Sequence, residues 1–384
     1  MRERVLFVAG DVGGASVQAP VAKMFLSYDG DYEVRVLTDA GPRAKSQDAW
    51  TKANIPFEAV SHEDAAAIDK YLKWADAVVS GSCSTAYQLE RAVVKRAKEL
   101  GVSSAILADV VFSHSAKQFR DLEPTVWLAI DQPHKEAIMA LRSGLSEDKV
   151  VVTGQPTYDN LLGIIEKRVE IRSKHRALLG VEESDYLVMY SSPGDKAAHF
   201  ETTLEMTFLG LQTLKKIHGD RLVFLPRLHP KLGTSTKCDG YVAGAYTRVE
   251  EFCKSGNIRL VRADKAPMDE LDVTVDLLTC AMATDGTKTV IMGGLVVFLM
   301  PDTVQHRMRV EFLQESPYLP ELRKQAAFGV FRYSDIENIF KVLQQPMLQG
   351  LVRSEARKHF SLPEDRSATE NVFKAILRLA RAAK

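Results

Sequence analysis

An α/β fold made of two parallel-sheet domains is predicted by three observations. Short apolar or β-branched runs alternate with amphipathic helical patterns, which argues for parallel strands covered by helices on both faces. That alternation stops at a charged stretch and then restarts. A length of 384 residues is also more than one hydrophobic core usually serves.

The first set of strands is expected at Val5–Ala9, Glu33–Leu37, Ala77–Ser80, Ser104–Leu107, Val126–Ile130 and Val150–Thr153. Tyr87 to Leu100 reads as an amphipathic helix among them. Gly154 and Pro156 break the chain after the sixth strand. A helical, charged stretch from Tyr158 to Leu179 joins the halves. The second set is expected at Tyr186–Tyr190, Leu222–Leu225, Ile258–Val261, Val273–Leu278 and Leu295–Leu299. Ser367 to Ala383 closes the chain as a helix with Val372, Ile376, Leu377 and Leu379 on its apolar side. The expected domains are residues 1–165 and 166–362, with a final helix in 363–384 packing back on the first domain.

Composition narrows the function. A 46% hydrophobic and 26% charged chain with zero formal net charge is globular and has no global attraction to nucleic acid. No apolar run approaches the roughly 20 residues that span a bilayer. Met1 to Arg4 leads straight into a strand, so no signal peptide is expected and a cytoplasmic location is. The four cysteines, Cys83, Cys238, Cys253 and Cys280, lack CxxC spacing and read as reduced thiols. HExxH, EF-hand and P-loop patterns are absent, and no metal or cofactor is expected. Trp74 and Trp127 read as core residues, and Gln305 to Arg309 as the start of a surface helix or as a border of the ligand cleft.

Ligands of open α/β sheets bind beyond the carboxyl ends of the strands. Leu225-Pro226-Arg227-Leu228-His229-Pro230-Lys231 puts three potential cations there: Arg227, His229 and Lys231. Arg offers a planar fork to phosphate, Lys a point charge, and His a donor near neutral pH. The same residues also fit a basic turn held by local acids. Gly10 to Ser16 follows the first strand, and Gly13, Gly14, Ala15 and Ser16 are candidate ligand contacts or a plain turn. Ser191 to Lys196 is the corresponding loop of the second half, with Ser191, Ser192, Gly194 and Lys196 as candidates. His199 beyond it reads as an exposed histidine at a helix start or as a catalytic group. Asp109, past a strand end, could be a general base for a hydroxyl or could cap a turn. His114 is equally open to a structural or a functional role.

Three segments carry a family resemblance. Ser84 to Phe119, with Thr85-Ala86-Tyr87-Gln88-Leu89-Glu90-Arg91 and Ile106-Leu107-Ala108-Asp109, is similar to nucleotide-sugar enzymes of the GT-B fold. Ser146 to Asp159 resembles the end of their first domain, with a close variant in UDP-N-acetylglucosamine 2-epimerases. His229-Pro230 resembles a motif of capsule and teichoic-acid transferases, whose histidine lies near the donor phosphates. The resemblance implies two Rossmann-like domains facing a cleft, with acceptor on the first and donor nucleotide on the second. It implies phosphate contacts from the Ser191–Lys196 loop and the basic cluster. It places Asp285, Gly286, Thr287, Lys288 and Thr289 at a helix start facing the donor phosphates, where Thr284 or Asp285 could instead be a simple N-cap.

The sequence departs from that family in one place above all. Its ribose-binding glutamate, about one and a half helical turns before the glycine pair, would fall on Lys288 or Thr289. The paired glutamates and the N-terminal arginine-lysine pattern of the epimerases are missing too. The leading expectation is a transferase moving a sugar or polyol phosphate from a UDP-, CDP- or CMP-linked donor to a saccharide or lipid-linked acceptor in surface polysaccharide assembly. Asp109 would be its base. The alternatives are a UDP-N-acetylglucosamine 2-epimerase-like enzyme and a non-catalytic nucleotide-binding protein. Local contact with the inner face of a membrane and a homodimer are both compatible with the chain.

Overall fold

Strand β1 (Glu3–Ala9) sets the pattern of the first half. Val5 and Phe7 point into one apolar layer, and Leu6 and Val8 into another. Such two-sided burial is the signature of a parallel sheet sandwiched by helices. The computed structural model describes residues 2–28, 30–41, 46–83, 86–110, 112–142, 144–193, 197–229, 239–263, 265–360, 362 and 367–382. The chain divides into two compact units. One takes Met1–Asp159, Glu311–Leu313 and Leu362–Lys384, and the other Asn160–Val310 and Gln314–Ser361.

In the first unit β1 is followed by α1 (Val12–Ser27), β2 (Tyr32–Asp39), α2 (Ser46–Lys52), β3 (Glu58–Val60) and α3 (Ala65–Trp74). Then come β4 (Ala77–Ser80), α4 (Gln88–Leu100), β5 (Ser103–Leu107), β6 (Val126–Ala129), α5 (Gln132–Leu141) and β7 (Val150–Val152). The seven strands are parallel in the order β3-β2-β1-β4-β5-β6-β7. Order reverses between β1 and β4, so a crevice opens there at the carboxyl ends. α4 ends where Gly101 takes φ +69, a left-handed cap that glycine adopts without strain.

The second unit runs α6 (Leu161–Glu166), α7 (Arg168–Leu178), β8 (Tyr186–Ser191), α8 (Ala197–His218), β9 (Leu222–Arg227), α9 (Asp239–Ser255), β10 (Arg259–Leu260) and α10 (Met268–Thr274). It continues with β11 (Leu277–Cys280), α11 (Thr284–Ile291), β12 (Val296–Leu299), α12 (Asp302–Phe312), α13 (Pro320–Arg323), β13 (Phe328–Val330), α14 (Ile336–Val342) and α15 (Pro346–His359). Its six parallel strands lie in the order β10-β9-β8-β11-β12-β13, with the reversal between β8 and β11. The last helix, α16 (Ala368–Ala382), buries Val372, Phe373 and Ile376 in the first unit's core. The Phe373 ring lies 4.4 Å from that of Phe25.

One expected strand is corrected. Val273 and Thr274 end helix α10, and the strand begins only at Leu277. Asp269 and Glu270 in its first turn suit a helix start, and Leu271 and Val273 are its buried face. β3 and β13 are strands that the apolar runs do not announce. Trp127 is buried, whereas Trp74 is half-buried under the Arg35 guanidinium, 4.4 Å from its ring. Among the described residues no helix is long and apolar enough to cross a membrane.

Candidate functional site

In the first unit the β1/β4 crevice is lined by carboxyl groups. Asp11 follows β1 and N-caps α1, accepting from Gly14 N at 3.2 Å. That cap starts the helix at Val12, so Gly13, Gly14, Ala15 and Ser16 lie in its first turns and not in a loop, which corrects their reading as loop residues. Gly14 is packed: a Cβ there would fall 2.6 Å from Cys83 Sγ. Gly13 is exposed, and a Cβ on it would lie 3.1 Å from Asp109 Oδ2.

Asp109 stands just beyond β5, half-buried, and is the N-cap of none of the described helices. Its Oδ1 accepts from Ser82 Oγ at 2.6 Å, and Gln155 Nε2 donates to its backbone oxygen at 2.6 Å. Burial, then the neighbouring Asp11 charge, push its carboxyl up to about 7. A group so poised exchanges a proton readily near neutral pH. Behind it lies Glu90, fully buried in the first turn of α4. Glu90 accepts from Gly10 N at 3.2 Å, Cys83 N at 3.0 Å and Cys83 Sγ at 2.7 Å. Burial pushes Glu90 up to about 8, and it pushes the Cys83 thiol well up too.

Sequence reasoning missed Glu90, Ser82 and Cys83 as members of this cluster. Glu90 had a signal: with Val94 and Ala97 it continues the buried stripe of α4 at helical spacing. His114 is buried in a second polar group. His134 Nδ1 accepts from Ile130 N at 3.2 Å, so its Nε2 carries the proton and donates to His114 Nδ1 at 3.0 Å. Burial pushes His134 down to about 3, which keeps it neutral. Arg142 donates to the His114 carbonyl at 3.0 Å and lies 4.2 Å over the Trp127 ring. This arrangement holds His114 in place by packing and hydrogen bonds.

The second unit builds its site at the β8/β11 reversal. Ser191 ends β8 and donates from Oγ to Asp285 Oδ2 at 2.8 Å. Ser192 Oγ accepts from His229 N at 2.8 Å, and Ser192 N donates to Arg227 O at 3.0 Å. Ser191, Ser192, His229 and Asp285 thus meet at one end of the sheet. Burial raises the Asp285 carboxyl, while Ser191, Lys288 and His229 favour its charged form. The N-cap of α11 is Ala283, so neither Thr284 nor Asp285 is the simple cap. Gly286 lets α11 approach the sheet: a Cβ would fall 2.6 Å from the Phe298 ring.

Arg227, Lys288 and Thr287 of the second unit are engaged by other protein groups. Arg227 donates to the carbonyls of Ala263 at 2.7 Å and Ala266 at 3.3 Å, and Lys288 pairs with Asp269 at 2.7 Å. Thr287 Oγ1 donates to buried Glu321, and Thr289 is buried. His199 is corrected: it is 4% exposed and no exposed helix-start residue. Gly194, Lys196 and Lys231 lie outside the described residues. Among those described, no three His, Cys, Asp or Glu side chains are grouped to hold a metal ion.

Two Rossmann-like parallel-sheet units, each with its polar groups at the strand reversal, define the GT-B fold. Solved structures share it over nearly the whole chain. An S. aureus MnaA–UDP co-structure covers 98% of this chain and 97% of its own at TM-score 0.63 and 13% identity. UDP-GlcNAc 2-epimerase from Neisseria meningitidis bound to UDP-GlcNAc gives 0.62 at 13% identity, over 98% and 100% of the two chains. MurG from Acinetobacter baumannii gives 0.61 at 14%, over 98% and 99%. The wall teichoic acid polymerase TagF gives 0.53 at 14%, over 99% and 89%. At these identities the likeness is one of fold. No family model and no curated protein sequence matches the chain.

Proposed function

We propose that the chain transfers a sugar or polyol phosphate from a UDP-, CDP- or CMP-linked donor to an acceptor hydroxyl in polysaccharide assembly. The observation that carries this reading is Asp109. Its carboxyl, held near 7 at the end of β5 beside exposed Gly13, suits removal of a hydroxyl proton. The second unit would take the nucleotide, with His229 and the serines toward the diphosphate. Asp285 has the chemistry for sugar hydroxyls and not for phosphate oxygens, because a carboxylate accepts from a hydroxyl and repels an anion. It would fill the place of the ribose glutamate that the sequence lacks.

The test has two stages. A thermal-shift panel of UDP, CDP, CMP, GDP, ADP and their sugars names the donor, since a ligand at a hundredfold excess over Kd adds about 2.7 kcal/mol to stability. The selected donor is then incubated in D2O with and without saccharide or lipid-linked acceptors, using wild type and Asp109→Asn. Acceptor-dependent transfer that falls at least a hundredfold in Asp109→Asn supports the proposal. Deuterium entering the sugar without an acceptor identifies an epimerase instead, and nucleotide binding without turnover a non-catalytic protein.

A further inference from the structure

The amino-terminal ends of the second unit's strands, opposite to the Ser191–Asp285 end, hold a different kind of site. A cavity of about 300 Å³ has Arg168, Arg172, Glu183, Tyr186, Asp276 and Arg353 in its lining. Arg168 opens α7 and Arg172 lies one turn on. Tyr186 opens β8, and Asp276 directly precedes β11.

The ion pairs around this cavity do not balance. Arg172 donates from Nε to Glu183 at 2.8 Å, from Nη2 to Asp276 at 2.8 Å and from Nη1 to the Thr274 carbonyl at 2.7 Å. Buried Arg176 shares both acids, at 3.3 Å to Glu183 and 3.2 Å to Asp276. Asp276 also accepts from Leu187 N at 2.7 Å. The two carboxylates are therefore engaged by two guanidiniums. Arg168 and Arg353 remain, half-buried, and neither has an ion pair or hydrogen bond among the described residues. Arg168 rests by the Gly293 turn, where a Cβ on Gly293 would stand 3.7 Å from its Nη1. Burial, then the charges of Arg353 and Arg172, push the Arg168 guanidinium down.

We propose that this cavity binds a small phosphate-bearing anion between Arg168 and Arg353. Half-buried like charges with no counter-charge are unfavourable, and an anion between them reverses the sign of that interaction. Planar guanidiniums match the oxygens of phosphate two at a time. The volume lies at the lower limit of ligand cavities, which suits one or two phosphate groups and excludes a polymer chain lying within it. The proposal does not rest on the transfer reaction, and its readout needs no activity.

The experiment measures binding to the full chain by calorimetry and thermal shift at pH 7.5, with ionic strength held constant by chloride. Inorganic phosphate, pyrophosphate, glycerol 3-phosphate and acetate are compared. Free phosphate is the natural occupant if it binds as tightly as the ester, and a phosphoester is if glycerol 3-phosphate binds more tightly. Arg168→Gln and Arg353→Gln are each expected to weaken the phosphate-bearing anions at least tenfold and to melt no lower than wild type in chloride. Arg353→Lys should fall between, showing that a folded variant keeps partial binding. Asp285→Asn should bind these anions as wild type does. The proposal is overturned if none of them binds, if acetate binds equally well, or if binding survives both glutamine substitutions.

Discussion

The Ser82 hydroxyl meets Asp109 twice, donating to Oδ1 at 2.6 Å and accepting from the Asp109 amide at 3.0 Å. A hydrogen bond to a carboxylate favours the charged form, whereas burial and Asp11 oppose it. The balance leaves Asp109 at about 7. Ser82→Ala removes the favourable part, so the acid limb of the kcat/KM profile should move up by about one pH unit. Activity at pH 9 should change far less. A profile that stays in place in Ser82→Ala means that Asp109 does not supply that limb.

Glu90 makes stability depend on pH. Folded, it holds its proton up to about 8, whereas an unfolded glutamate releases it near 4.3. The native state therefore binds more protons across that window. Its contribution is full below about pH 4 and is lost as pH rises through about 8, at up to about 1.4 kcal/mol per pH unit. Glu90→Gln removes the titration, although its amide nitrogen must face one of the two backbone N–H groups that the carboxyl oxygens accept from, which lowers stability at every pH. Between pH 5 and pH 8.5 the Tm of Glu90→Gln should therefore fall less than that of wild type. Parallel Tm curves for the two proteins would sink this account.

Much of this was readable from the chain. β1, β4 and β8 are continuous apolar runs because both sheet faces are covered, and such runs stand out. β3 and β13 are three-residue edge strands with little burial to pattern them. The strand-end loops carrying Ser191 and His229 were legible because Gly and Pro punctuate them, and Asp109 because it comes just after the apolar run that ends at Leu107. Their partners were not. Ser82 lies 27 positions from Asp109 and Asp285 lies 94 from Ser191, and only the neighbour order β1-β4-β5 and β8-β11 joins them. The ion pair of Lys288 with Asp269, on another helix, was equally invisible in the sequence. The acid on the buried face of α4 was in plain view, but a helix-surface glutamate is so often solvated that position alone did not single it out.

The approach of α1 to the sheet rests on a missing Cβ. In Gly14→Ala the new carbon would stand 2.6 Å from Cys83 Sγ and 3.3 Å from Glu90 Oε1. Overpacking costs about 1–3 kcal/mol, more than the roughly 1 kcal/mol that alanine adds to a helix. Cys83→Ala empties the space. Urea unfolding of the single variants and of Gly14→Ala/Cys83→Ala should therefore show a favourable coupling of about 0.5–3 kcal/mol. Simple additivity would mean that the strain is relieved elsewhere.

Asp285 offers the sharpest test of how a nucleotide would sit. It is a carboxyl group in the first turn of α11, fixed by Ser191; burial pushes it up, and Ser191, Lys288 and His229 work against that by favouring the charged form. Hydroxyl donors suit it, and the two adjacent hydroxyls of a ribose are the nearest such group to a diphosphate. Wild type should bind a ribonucleoside diphosphate about tenfold more tightly than its 2′,3′-dideoxy analogue, within the range of hydrogen bonds to a charged partner. Asp285→Asn, which keeps the shape and loses the charge, should bind the ribonucleotide more weakly and the dideoxy analogue almost as wild type does. The ratio between the two ligands should then shrink toward one. Two outcomes speak against a ribose partner: equal binding of both ligands by wild type, or an equal loss of both in Asp285→Asn. The second would place phosphate near Asp285, with the carboxyl protonated by its burial.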